Sequence, residues 1–170
     1  MNIVKLKKWE FSILALSIIS TFIFHMLYEW LGQNVLIGLI SPVNESVWEH
    51  GKLILFPFLI FSLVEMLVLK PKNKCNFFAV KFMAAMLGVL AMTTFFYLYS
   101  GILGSHNLIM DIISGFIGVF ISFYFSYNYL TNNKTIRNCR LINILGVIVI
   151  LVFFVFTFYP PNISWFISSV

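Results

Sequence analysis

This sequence is short of charge. Its 170 residues include 11 Lys and Arg and 6 Asp and Glu, or 10% charged, where a water-soluble domain carries about 25%. So few charges cannot coat a water-facing surface, which excludes a soluble fold. No stretch alternates polar and apolar residues as the strands of a membrane β-barrel do. Internal repeats, low-complexity linkers and a composition break marking a second domain are also lacking, so residues 1–170 read as one domain. Lys5, Lys7 and Lys8 precede an apolar run in the manner of a signal peptide. No small-x-small cleavage signal follows, so that run reads as a retained first span. Cysteine is limited to Cys75 and Cys139. Neither has histidines close by in sequence, which makes a zinc site there poor, and the expectation is two free thiols in a reducing compartment.

What remains is predominantly apolar: 61% hydrophobic residues and a mean hydropathy of +0.97. Five apolar segments stand out, at about 11–32, 46–70, 76–100, 107–130 and 141–159. At about 1.5 Å per helical residue each can cross the ~30 Å hydrocarbon layer. Helices are the default because lipid leaves no backbone group a partner outside its own segment. The expected fold is therefore all-α, a multi-pass cell-membrane protein with five transmembrane helices. The net charge of +5 reports topology here, not nucleic acid. Every Lys and Arg except Lys52 falls at one end of such a bundle, and the positive-inside rule makes that end cytoplasmic. The N-terminus is then cytoplasmic and the C-terminus extracytoplasmic.

Some features read as architecture. Ala84, Gly88 and Ala91 form a small-residue stripe suited to close helix packing, and Gly115 and Gly118 are expected to do the same in the fourth span. Pro57 should free a carbonyl one turn earlier in the second span. Glu65 should snorkel toward the basic edge.

Most of the remaining ionisable groups gather at the opposite end: His25, Glu29, Glu45, Glu49, His50, Lys52, His106 and Asp111. Charged groups in a span cost about 2.5–3.5 kcal/mol each near the centre, so they pair, face a cavity or line a pathway. His25 and Glu29, four apart, share a helix face and can touch or chelate one ion. Glu45, Glu49 and Lys52 line one stripe if the second helix starts early, with Ser41-Pro42 or Asn44 as its start. Three site expectations follow. A catalytic group is drawn from Glu45, Glu49, His50, His106 and Asp111. Asn44, Trp48, Lys52 and Tyr159 are placed to contact a substrate. His25, Glu29, Glu49 and His50 are a metal set whose nitrogen and oxygen donors suit a divalent ion such as zinc. The plainer reading stands beside these: capping residues, an ion-pair network and interfacial aromatics, with Trp48, Tyr97, Tyr99 and Tyr159 as belt residues. No HExxH or repeated ExxH signature is present.

The segments HMLYEW (25–30), PVNESVWEH (42–50) with GKL and FP after it, and FTFYPP (156–161) resemble a family of small bacterial integral membrane proteins of unknown function marked by a PVNESVWEH-type box. The resemblance spans about Phe11 to Pro161. It implies a multi-pass membrane protein and transfers no activity. The expected partners are the bilayer and a lipid-like ligand reached from the outer leaflet. The leading reading is a site that binds such a ligand and hydrolyses or transfers it. A small binding or transport module, or an accessory subunit whose polar cluster only joins helices, is the alternative.

Overall fold

Residues 2–167 are described by the computed structural model, and they form helices and connecting turns, with no strand among the described residues. The elements are α1 (Ile3–Trp30), a single turn α2 (Val35–Gly38), α3 (Val47–Leu69), α4 (Lys74–Leu103), α5 (Leu108–Thr131) and α6 (Cys139–Phe158). Five of them, all but α2, are long and apolar enough to cross a membrane. The helix α1 starts eight residues ahead of the apolar run because the Asn2 side chain caps it, accepting from the amides of Val4 and Lys5. The helix α3 starts at Val47, later than Ser41 or Asn44 would allow, because Ser46 is its N-cap and accepts from the Glu49 amide.

Successive long helices run in opposite directions, which gives the bundle two unlike ends. At the basic end, the Lys81 ammonium lies 2.7 Å from Glu10 Oε1 and 2.7 Å from Glu65 Oε2. All three side chains are fully buried. The Ser126 hydroxyl donates to Glu10 Oε1 at 2.8 Å, and the Phe58 and Phe77 rings flank the ammonium at 5.5 and 5.4 Å. Four helices meet on this cluster. The snorkelling expected of Glu65 does not occur, because Lys81 on the neighbouring helix is a nearer partner than interfacial water.

Cys75 and Cys139 form a disulfide between the first turns of α4 and α6, not the free thiols expected. The two positions lie 64 residues apart in sequence, and only the packing of α6 on α4 brings them together. Asn143 reinforces the junction by donating to the Cys75 carbonyl at 3.1 Å.

The helices α4 and α5 touch backbone to backbone. A Cβ on Gly88 would sit 2.5 Å from the Gly118 carbonyl oxygen, and one on Gly118 would sit 2.8 Å from that of Gly88. Gly115 differs: a Cβ there meets nothing within 4 Å. Gly88→Val and Gly118→Val should therefore each lower stability by roughly 3 kcal/mol, the upper end of overpacking costs, and Gly115→Ala should be neutral. Thermal unfolding of the purified protein in detergent, followed by tryptophan fluorescence, checks this.

Pro57 lies inside α3 without ending it. Its ring leaves the Leu53 carbonyl without an intrahelical donor. The Thr21 hydroxyl of α1 lies 3.2 Å from that oxygen and 2.9 Å from the Ser17 carbonyl, and shares its one proton between them.

Candidate functional site

The segment between α1 and α3 carries most of the polar box, and its path is set by buried polar contacts. The Lys52 ammonium has three protons, and three acceptors surround it: Glu49 Oε2 at 2.7 Å, the Gly38 carbonyl at 2.7 Å and the Ser41 carbonyl at 3.4 Å. Glu49 Oε2 also accepts from the Val43 amide at 2.9 Å, and Glu49 Oε1 lies 3.2 Å from the Thr157 hydroxyl of α6. Ser41 donates to the Phe24 carbonyl at 2.5 Å and accepts from the Tyr28 amide at 3.2 Å, which ties the segment to α1. Asn44 accepts from the Ser46 amide. Glu49 and Lys52 are both buried, and their polar atoms are engaged in holding the segment down.

That fixed segment delivers Glu45 to the two histidines. His25 Nε2 and His50 Nε2 are 3.3 Å apart. Glu45 Oε2 lies 3.6 Å from the first and 3.4 Å from the second. Among the described residues these three side chains form the one group of His, Cys, Asp and Glu whose donor atoms lie close enough together to hold a metal ion. The two rings are within reach of a weak hydrogen bond from one to the other, and the Glu45 separations are those of loose ion pairs. The 3.3 and 3.4 Å separations also equal the edges of a tetrahedron around an ion with bonds of about 2.0–2.1 Å, where ligand atoms stand about 3.3–3.4 Å apart, and the 3.6 Å one is slightly longer. His50 Nδ1 lies 2.9 Å from the Ser46 carbonyl. A carbonyl only accepts, so Nδ1 carries a proton, and in the neutral ring Nε2 is then the acceptor turned toward the cluster. This is the outer-shell arrangement of a metal-ligating histidine.

The cluster opens into a cavity of about 580 Å³ bounded by α1, α3, α4 and α5. Its walls are mainly apolar, with Phe22, Ile54, Phe96 and Phe116 prominent. His106 and Asp111 also line it, and His106 Nδ1 lies 3.7 Å from Asp111 Oδ2. The Tyr99 hydroxyl donates to Asp111 Oδ1. Tyr99 is buried, a fixed partner of Asp111 and not the belt residue expected.

The other expected site residues lie elsewhere. Glu29 is exposed and outside both the cavity lining and the cluster; Glu45 stands in its place beside His25. Helical spacing alone could not show this, because Glu45 lies before the helix and reaches the histidines from a loop. Glu49 points away from His50, into the Lys52 pair. Trp48 stacks on Phe153 with ring centroids 4.1 Å apart, and its amide donates to the Trp165 carbonyl at 3.1 Å. It packs the C-terminal segment onto α3 and does not face the cavity. Tyr159 is 80% exposed and lies outside the lining. Thr21, which the sequence did not mark, does line the cavity; its signal was Pro57 and the carbonyl that proline frees.

Comparison with known proteins gives one positive result: the chain belongs to a family of unknown function, DUF6512, whose match covers residues 1–170. No curated protein and no solved structure matches it.

Proposed function

We propose that the protein is a membrane-embedded, metal-dependent hydrolase of a lipid-like substrate, with His25, Glu45 and His50 as the metal ligands. The observation that carries this reading is the spacing of the three donor atoms, 3.3, 3.4 and 3.6 Å, together with the tautomer of His50. Two histidines and a carboxylate leave a fourth position open, as hydrolytic zinc sites do. A zinc ion held there would lower the pKa of a bound water and polarise a carbonyl.

The chain's own residues supply the rest. The Ser46 carbonyl orients His50, and the Lys52–Glu49 pair holds Glu45 in reach. Asp111, which accepts from the Tyr99 hydroxyl, lies near His106 and lines the same cavity, is the candidate to take up and return a proton. The apolar walls receive the hydrocarbon part of the substrate. The basic residues at the opposite end support a cytoplasmic N-terminus and an extracytoplasmic site, whereas the Cys75–Cys139 disulfide at that basic end favours an oxidising compartment there; protease protection in sealed vesicles decides between the two.

The test is metal content. The purified protein should retain about one zinc per chain after dialysis, and His25→Ala, Glu45→Ala and His50→Ala should each weaken zinc binding at least tenfold. Glu29→Ala should bind as the parent does. Parallel titrations with Fe²⁺ and Mn²⁺ identify a different preferred ion. Undiminished metal binding in a His25→Ala/His50→Ala double variant would sink the proposal.

A further inference from the structure

We infer that the substrate is a single-chain amphiphile with an uncharged head, an acyl ester or amide of a neutral alcohol or amine. The inference rests on the hydrolase reading above and adds what the cavity admits.

Size bears on the number of chains. At about 30 Å³ for a water-sized group, 580 Å³ takes on the order of twenty non-hydrogen atoms. That suits one acyl chain with a small head. Access fits a lipid as well. Phe22 of α1 and Phe116 of α5 line the cavity and face each other with centroids 6.2 Å apart. They are also 53% and 42% exposed. The α1–α5 seam beside the cavity thus presents two exposed aromatic side chains.

Charge bears on the head. The cavity carries two carboxylates, Glu45 and Asp111, which together offset one divalent ion. No other cation is in place for an anionic head. Of the 11 Lys and Arg, only Lys52 belongs to this end, and it is fully buried with its three protons engaged by Glu49, Gly38 and Ser41. With the ion's charge already offset by the two carboxylates, a phosphate would bring its own charge into a cavity whose lining has no Lys or Arg to pair with it, which is unfavourable.

Hydrolysis-resistant ether probes test this by binding alone. The zinc-loaded full chain in detergent is examined by native mass spectrometry with 1-hexadecylglycerol, its phosphate monoester and 1,2-dihexadecylglycerol. The uncharged single-chain probe should bind one per chain, and the other two at least tenfold more weakly. Gly115→Trp fills open cavity space and should lose that binding. Asp111→Asn removes a carboxylate and should strengthen binding of the phosphate probe several-fold, a gain that misfolding cannot produce. Equal binding of all three probes, or binding unchanged by Gly115→Trp, overturns the inference. Zinc content measured on the same samples separates the two claims. Protein that holds zinc but does not discriminate among the probes overturns the substrate assignment alone. Protein that never holds zinc overturns the hydrolase.

Discussion

Lys52→Met should destabilise the histidine end of the bundle by about 3–5 kcal/mol, the cost of removing one partner of a buried ion pair. The reason is specific. Lys52 and Glu49 are both buried, and the substitution leaves the Glu49 carboxylate with the Val43 amide and the Thr157 hydroxyl as its remaining donors. The Gly38 and Ser41 carbonyls lose the same donor at once. The connecting segment should loosen, and Glu45 with it, so zinc affinity should fall although no ligand is altered. A Glu49→Gln/Lys52→Met double variant removes the stranded charge and should recover part of the stability. Thermal unfolding and zinc titration of both variants provide the measurement. Normal stability and normal zinc binding in Lys52→Met would show that the pair does not hold the site.

Lys81→Met should be at least as damaging, by about 3–5 kcal/mol or more, and should act differently. It leaves two fully buried carboxylates, Glu10 and Glu65, facing each other without the ammonium that now lies 2.7 Å from each. Four helices meet there, so the loss should appear as cooperative unfolding of the bundle and not as a local loosening. Glu65→Gln keeps one pair intact and should be much milder. Lys81→Met/Glu65→Gln should recover stability relative to Lys81→Met. This cluster sits at the end away from the histidines. At temperatures where Lys81→Met is still folded, its zinc affinity should therefore equal that of the parent, in contrast to Lys52→Met.

The five spans were legible in the sequence because membrane spanning is a composition signal. Charge scarcity and apolar runs mark the helices, and Pro57 announced the carbonyl that Thr21 meets. The packing of Gly88 was readable as a small-residue stripe. Gly115 and Gly118 looked alike in sequence, yet one faces the cavity and the other faces Gly88, since helix rotation is set by neighbours. The end of the bundle that carries the site was readable too, from where the histidines fall. Its membership was only partly so. Helical spacing pairs His25 with Glu29 and Glu45 with Glu49, and it fails because Glu45 precedes α3 and approaches from a loop held by Lys52. The Glu10–Lys81–Glu65 cluster was hidden for the same reason: its members come from three helices, and no sequence interval relates them. The same holds for Cys75 and Cys139.

That cross-link has a consequence for handling the protein. Lys134 and Arg137 lie exposed between α5 and α6, inside the loop that the Cys75–Cys139 bond closes. Trypsin cutting after Arg137 would sever the chain and release nothing. With the flanking exposed sites outside that loop, Lys72, Lys74 and Arg140, changed to Gln, the severed protein should run on a gel as a single species until a reductant is added, and then yield a large N-terminal piece and a small one carrying α6. The same digestion of sealed vesicles reports which face of the membrane those basic loops occupy, because a protease kept on the far side leaves the chain whole under reduction.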